Sequence, residues 1–183
     1  MDKPSLTVGS EQEISHSPAD GAGPADRFRQ ESVRRLVAFS LDGQRYALPL
    51  PVIERVLRMV EVSPLPKAPA VVLGVINFHG QVIPVLDLQR RFGRPSNNHG
   101  PASSLLVART SRRTMALPVN EVVGVKEVAA ETVTLPDAVF PGIGLMAGIV
   151  ALSDGVLFIH DLETFLSLDE EQRLTEALEG KTE

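Results

Sequence analysis

Two apolar runs separated by a short polar break dominate the middle of the chain. Residues 71–78 and 82–88 are almost wholly apolar and rich in β-branched side chains, and the break between them is His79-Gly80-Gln81. Two β-favouring runs joined by a short break that contains glycine predict a β-hairpin. Neither run alternates between apolar and polar residues, so we expect both faces of both strands to be covered. Gly74 lies inside the first run, where a missing side chain lets another backbone or a partner come close.

Turn and capping signals predict the neighbouring elements. Asp42-Gly43 is a two-residue turn signal between two further β-favouring runs. Asp87 and Asp161 each precede a short helix-favouring run, which predicts an N-cap at both positions. Residues 167–170, Ser-Leu-Asp-Glu, fit a capping box and predict a helix over about 168–178. Residues 1–31 are rich in Ser, Gly, Pro, Ala and Asp with few large apolar side chains, which predicts a disordered tail.

Short motifs recur in the same order in the two halves of the remaining chain, residues 32–183. Ala47-Leu48-Pro49 recurs as Ala116-Leu117-Pro118, and Gly74-Val75-Ile76 recurs as Gly148-Ile149-Val150, with an offset that grows from 69 to 74 residues. The repeat predicts an all-β fold of two subdomains, over about 34–95 and 103–166, each of about five strands. Closing each subdomain into a barrel removes its exposed edges. Because each subdomain is small, we expect a shared apolar core between them.

Composition excludes several classes of function. The chain has 183 residues and a net charge of −5, which argues against binding to a phosphate backbone. It has no cysteine, which excludes disulfides, thiolate catalysis and cysteine-based zinc sites. No apolar run approaches the roughly 18 residues that cross a bilayer. These features predict a soluble, cytoplasmic protein that binds no nucleic acid and does not insert into a membrane.

Catalytic chemistry has little support in the sequence. The repeat places one aspartate per half, Asp87 and Asp161, which is compatible with an aspartic-protease-like dyad. Neither is followed by the Thr/Ser-Gly that such chemistry uses, and helix capping accounts for both better. The histidines at 16, 79, 99 and 160 lack metal-ligand spacing. We therefore predict no catalytic activity, no cofactor and no metal. The alternative that remains is a small ligand-binding or hydrolase-like β-barrel protein.

Residues 74–88, GVINFHGQVIPVLDL, resemble the signature of the CheW chemotaxis coupling proteins, and the resemblance extends over about 34–178. It implies two SH3-like five-stranded barrels with short helices and a C-terminal helix. It also implies a non-catalytic adaptor, monomeric on its own, that couples transmembrane chemoreceptors to a CheA-type histidine kinase and is recruited to membrane receptor arrays. In that family the receptor's cytoplasmic tip packs in the groove between the subdomains. The kinase's regulatory domain pairs with the exposed barrel ends.

The resemblance also implies which residues bind the partners. Carried over by position, they form three groups: Ile53, Glu54 and Arg55; then Gly74, Asn77, His79 and Gly80; and, in the second half, Val122, Val123 and Gly124. The family usually has arginine at the position of His79 and an acidic residue near that of Arg55. These departures are compatible with a divergent pathway that controls twitching or gliding motility.

Overall fold

A computed structural model describes residues 31–96, 99–135 and 145–180 of the chain. The predicted tail, residues 1–31, lies outside the described residues except for Glu31. The described residues form eleven strands, two α-helices and three single 3-10 turns. The all-β fold class predicted from the sequence is thus confirmed. None of the helices in these ranges is long and apolar enough to span a membrane.

The strands follow the predicted hairpins closely. Their bounds are β1 Val33–Leu41, β2 Gln44–Pro49, β3 Ile53–Arg58, β4 Val72–Phe78, β5 Gln81–Leu86, β6 Ser104–Arg109, β7 Thr114–Val119, β8 Glu121–Ala129, β9 Val133–Thr134, β10 Met146–Leu152 and β11 Gly155–His160. The helices are α1, Leu88–Arg91, and α2, Leu168–Glu179. The 3-10 turns span Leu50–Val52, Ala130–Thr132 and Leu162–Thr164.

Two hairpin turns have left-handed backbone at both central positions. The values of φ are 49° and 77° at Asp42-Gly43, and 51° and 85° at His79-Gly80. Such turns match the twist of the flanking strands, and glycine at the second position adopts them without steric cost. Both predicted hairpins are therefore confirmed.

The predicted helix starts are also confirmed. The Asp87 carboxylate accepts hydrogen bonds from the backbone N–H groups of Gln89 and Arg90, at 2.9 and 3.2 Å. Asp161 accepts one from Glu163 at 3.0 Å. Ser167 and Glu170 form a reciprocal capping box at the start of α2. These side chains satisfy backbone donors that a helix start leaves without partners.

The strands form two sheets whose composition differs from the predicted subdomains. Sheet A has the order β8-β1-β2-β11-β10-β9, and sheet B has the order β3-β6-β7-β5-β4. Sheet B is one continuous stretch, residues 53–119, while sheet A combines the segments before and after it. The predicted boundaries at 34–95 and 103–166 are therefore wrong, although the repeat is real.

The short links between strands explain this arrangement. Corresponding strands of the two repeats occupy corresponding places, with β3 matching β8, and β6-β7 matching β1-β2. The 3-10 turn Leu50–Val52 and the single residue Asn120 carry the chain from one sheet to the other. As a result, the first hairpin of each repeat joins the sheet of the other repeat. The apolar pattern of a strand is the same in either sheet, so the sequence did not distinguish the two possibilities.

Side chains alternate along the central strands between two different apolar cores. On β1, Leu36 and Ala38 face a core inside sheet A, while Val37, Phe39 and Leu41 face a larger core that both sheets share. Strand β6 does the same: Leu105 and Val107 face a core inside sheet B, and Leu106 and Ala108 face the shared core. This double burial explains the continuous apolar runs in the sequence. It also confirms the predicted apolar core between the subdomains.

Candidate partner-binding surfaces

The first predicted group lies on a β-bulge at the edge of sheet B. Strand β3 pairs with β6 through Ile53↔Ala108 and Arg55↔Val107, so Glu54 is the extra residue of the bulge. Ile53 is half-buried and packs against the shared core. Glu54 and Arg55 are exposed, and the Glu54 carboxylate lies 2.5 Å from Nε of Arg109. The bulge thus places one residue at the rim of the shared core and the next two at the surface.

The second-half group has the same geometry at the edge of sheet A. Strand β8 pairs with β1 through Val122↔Phe39 and Gly124↔Ala38, so Val123 is the extra residue. Val122 packs against the shared core, while the side chain of Val123 is 46% exposed. Gly124 has φ of 132°, a backbone conformation that favours glycine. The correspondence of this group with Ile53, Glu54 and Arg55 is therefore seen in the structure, although a bulge was predicted at neither position.

Exposed valines accompany both bulges. Val56 on β3 is 47% exposed, and Val125 on β8 is 56% exposed. Both strands are outer strands of their sheets, where unpaired backbone groups and apolar side chains favour association with another protein. Sequence reasoning missed both valines. In the sequence, each valine stands two positions after the extra residue of its bulge, Glu54 or Val123. Its exposure could not be predicted, because it depends on the strand lying at an edge of its sheet.

Three residues of the second predicted group, Asn77, His79 and Gly80, lie at the tip of the β4–β5 hairpin. Oδ1 of Asn77 accepts a hydrogen bond from the backbone N–H of Gly80 at 2.8 Å, which fixes the turn. The His79 ring meets the Phe78 ring edge-on, with centroids 4.5 Å apart. Asn77, His79 and Gly80 are all exposed, and so is Val82, which pairs with Asn77 across the hairpin. The tip is a small mixed surface that belongs to the same sheet as the β3 bulge.

Gly74 differs from the other members of its group because it is buried. Ser63 pairs with Val75 through two backbone hydrogen bonds of 3.0 and 2.8 Å. A Cβ atom on Gly74 would overlap the carbonyl oxygen of Ser63. The predicted close approach of another backbone at Gly74 is thus confirmed, and the burial of Gly74 corrects the prediction that it contacts a partner directly. Gly148 occupies the matching position on β10, against Val133.

The residues considered for catalysis have structural roles. Asp87 is buried and caps α1, and Asp161 caps the 3-10 turn that follows β11. In the described ranges, no group of three or more His, Asp or Glu residues could hold a metal ion. His160 is buried, and its Nδ1 donates a hydrogen bond to the Leu145 carbonyl at 3.0 Å. Burial lowers the pKa of His160 to about 4, so its ring is neutral at neutral pH.

Comparison with known proteins agrees with this geometry. The model of the CheW-like domain family matches residues 35–170, which is most of the chain and includes all ten predicted binding residues. The chain belongs to the CheW-like domain family. This family consists of non-catalytic scaffold or adaptor proteins. As a member of the family, the chain is an adaptor rather than an enzyme.

Individual relatives cover most of the same region. The chemotaxis protein CheW of Thermotoga maritima is 30% identical over 136 residues, covering 74% of this chain and 87% of the relative. CheW of Treponema pallidum is 25% identical over 146 residues, covering 76% and 86%. The protein FrzA of Myxococcus xanthus is 29% identical over 98 residues, covering 54% and 61%.

A solved structure shares the architecture of this CheW-like chain. The scaffolding protein TtCheW from Thermoanaerobacter tengcongensis superimposes with a TM-score of 0.68 at 25% sequence identity, covering 75% of this chain and 94% of that chain. The two sheets therefore correspond to the two SH3-like subdomains that the resemblance implied. Sheet A carries the two-residue strand β9 in addition to the five expected strands.

Proposed function

We propose that this chain is an adaptor that couples the cytoplasmic tip of a chemoreceptor to the regulatory domain of a CheA-type histidine kinase. The observation that carries the proposal is the pair of equivalent bulged edge strands, one on each sheet. An adaptor needs two docking surfaces on one rigid body, and each of the bulges on β3 and β8 offers both: exposed residues at the surface and a half-buried residue against the core that the sheets share. The departures from the family pattern at His79 and Arg55 make a pathway that controls twitching or gliding motility a second suitable setting.

The exposed bulge residues suit the kinase. Glu54, Arg55 and the hairpin tip of the same sheet present charged and polar groups, while Val123 presents an apolar side chain. The kinase's regulatory domain, which is itself CheW-like in this family, would meet these barrel ends. The half-buried residues Ile53 and Val122 suit the receptor instead, because they pack against the core between the sheets, where the resemblance places the groove for the receptor tip. A receptor helix would bury its apolar face there.

The kinase surface is tested with substitutions at exposed positions. Val123→Asp places a charge on the proposed surface and should weaken binding of the kinase regulatory domain by about tenfold or more. Val156→Asp is the matched control, because Val156 is similarly exposed but lies on β11, away from the bulges. Isothermal titration with the purified kinase domain measures both. Equal affinities of the two variants would show that β8 is not the kinase surface.

The receptor groove is tested separately. Val122→Thr nearly preserves volume but adds a hydroxyl group at the groove rim. It should weaken binding of a receptor signalling fragment while the affinity for the kinase domain changes little. Thr132→Val, at an exposed position outside the groove, is the control for the Val/Thr exchange. Undiminished receptor binding by Val122→Thr and Val122→Asp, both folded by circular dichroism, would contradict the groove assignment.

Recruitment to a receptor array follows from the same proposal. The chain would reach the membrane surface by binding the receptor tip. One copy of the chain would bind both the receptor and the kinase there. Fluorescent fusions of the wild type and the Val122→Asp variant test this in cells. The wild type should form receptor-dependent clusters, and the variant should be diffuse.

A further inference from the structure

A cavity of about 460 Å³ lies between sheet A and the segment around α1. Its volume falls in the range of small-molecule sites. None of the ten predicted partner-binding residues lines it. On sheet A, Phe158 of the cavity pairs with Tyr46, Tyr46 with Phe39, and Phe39 with Val122 at the groove rim. The cavity and the proposed receptor rim are therefore three strand spacings apart, about 14 Å.

Aromatic rings form much of the cavity wall. The chain has only eight Phe and Tyr residues and no Trp, yet Tyr46, Phe92 and Phe158 all line this cavity. The centroids of Tyr46 and Phe92 are 5.3 Å apart with an interplanar angle of 17°, and those of Tyr46 and Phe158 are 6.1 Å apart. Rings in such arrangements favour offset stacking with a further planar group. The wall is suited to a flat aromatic ligand.

The charged groups at the cavity are cationic. Arg91 and Arg94 line it, and no Asp or Glu belongs to its described lining. Arg91 is already engaged, because it pairs with Glu170 at 2.7 Å and donates to the Phe165 carbonyl. Arg94 is exposed, and no hydrogen bond or ion pair of its side chain is found within the described ranges. Arg94 is therefore available to an anionic group on a ligand.

His160 adds a hydrogen-bond acceptor. A carbonyl oxygen only accepts, so the Nδ1 atom that contacts Leu145 carries the proton. In the neutral ring, Nε2 is then an acceptor, and this buried atom has no hydrogen-bond partner among the described residues. Buried acceptors are normally paired. Nε2 has almost no accessible surface, so a ligand N–H group would supply the missing donor after the side chains that cover this atom shift, among them Phe92, which stacks on the His160 ring at 4.4 Å.

We propose that this cavity binds a small planar aromatic carboxylate that carries a ring N–H group. The ring lies against Tyr46 and Phe158, the carboxylate pairs with Arg94, and the N–H group donates to Nε2 of His160. Stacking, charge pairing and one directed hydrogen bond are the three kinds of interaction that the cavity offers. This site is independent of the adaptor surfaces and would give the protein a small-molecule ligand in addition to its protein partners.

The probe is indole-3-acetate, which has all three features. Because the chain contains no tryptophan, indole emission reports on the ligand alone when protein is titrated into it. We expect saturable binding with a blue-shifted emission. Tryptamine, which has the same ring and a cation in place of the carboxylate, should bind at least about tenfold more weakly.

Protein variants locate the bound probe. Arg94→Gln should lower the affinity for indole-3-acetate by about fivefold or more, since a charge-assisted pair is lost. Arg112→Gln, an equally exposed arginine outside the cavity, should leave the affinity unchanged. No saturation at millimolar probe, equal binding of tryptamine, or an unchanged affinity of Arg94→Gln would each overturn the proposal. Arg94→Gln should still bind the kinase and receptor fragments, so failure at the cavity is distinct from failure of the adaptor function.

Discussion

At the scale of single residues, two glycines at matching positions of the repeat face different obstacles. An added Cβ on Gly74 would meet the backbone oxygen of Ser63, whereas on Gly148 it would meet a side-chain methyl group of Val133. The backbone of Ser63 is held by two hydrogen bonds to Val75 and cannot move away easily, whereas the side chain of Val133 can rotate. The two positions are therefore equivalent in the fold, but Gly148 should tolerate an added side chain better than Gly74.

We predict that Gly74→Ala lowers the free energy of unfolding by about 3 kcal/mol and Gly148→Ala by about 1 kcal/mol. Gly100→Ala is the control, because nothing lies within 4 Å of the added atom. Urea denaturation of the three variants measures the differences. The argument fails if Gly74→Ala is no more destabilising than Gly100→Ala.

His160 makes stability depend on pH. Burial lowers its pKa to about 4, whereas an unfolded histidine has a pKa of about 6.5, so the unfolded state binds more protons between these values. The stabilisation from the neutral ring is complete above about pH 6.5 and is lost as the pH falls toward 4. Linkage gives a loss of about 2 kcal/mol between pH 7 and pH 5.

The His160→Phe variant tests this dependence. It keeps a ring against Phe92 but cannot titrate, so its stability should fall less than that of the wild type between pH 7 and pH 5. Burial also lowers the pKa of His99, but His99 titrates in both proteins and cancels in the comparison. Urea midpoints at pH 7, 6 and 5 give the answer, and parallel curves for the two proteins would refute it.

At the scale of elements, helix α2 connects the two sheets. It follows β11 of sheet A, and its acidic first turn pairs with arginines from the segments of sheet B. Glu170 pairs with Arg91 at 2.7 Å, and Glu171 with Arg113 at 2.6 Å. Arg113 also donates to the hydroxyl group of Thr175 at 2.8 Å, and Leu174 is fully buried in the shared core. The helix thus holds the sheets together from the side.

We predict that Arg113→Met lowers the free energy of unfolding by about 2 kcal/mol, because it leaves the mostly buried Glu171 without its partner. Arg173→Met removes the exposed pair with Asp169, whose atoms are 3.9 Å apart, and should cost less than about 0.5 kcal/mol. Thermal unfolding compares the two. Similar losses in both variants would mean that the pairing of α2 with sheet B contributes no more than an ordinary surface pair.

At the scale of the whole molecule, the shared core makes the two sheets depend on each other. It contains Phe39 and Leu48 from sheet A as well as Leu106 and Leu117 from sheet B, all fully buried. Separating the sheets would expose these side chains to water at a large cost in free energy. The two barrels therefore behave as one folding unit, even though each has a core of its own.

We predict a single cooperative unfolding transition. Emission from Tyr46, the only tyrosine, reports on sheet A, and far-ultraviolet circular dichroism reports on both sheets; the two urea curves should coincide. A fragment of residues 50–120 contains every strand of sheet B but lacks the other side of the shared core. It should show no cooperative transition. Separate transitions in the whole chain, or a cooperatively folded fragment, would contradict this view.

Much of the candidate site was predictable because its signals are local or repeated. The Asn77-Phe78-His79-Gly80 turn and the aspartate caps follow from short motifs, and the correspondence of Glu54 with Val123 follows from the resemblance, whereas the bulges at these two positions were not predicted. The exposure of Val56 and Val125 did not follow from the motifs either. Those properties depend on which strand covers a position, and a strand's own residues do not specify its neighbour.

The sequence by itself determined the hairpins, the helix starts, the repeat and the family, because turn preferences and side-chain periodicity act over a few residues. Only the tertiary structure decided that β1-β2 joins the second repeat's sheet and β6-β7 the first, and that aromatic side chains gather around a cavity. Both depend on contacts between residues far apart in the chain. An apolar strand buries its side chains equally well in either sheet, so the choice was made by short links such as Leu50–Val52 and Asn120, which carry the chain across the shared core.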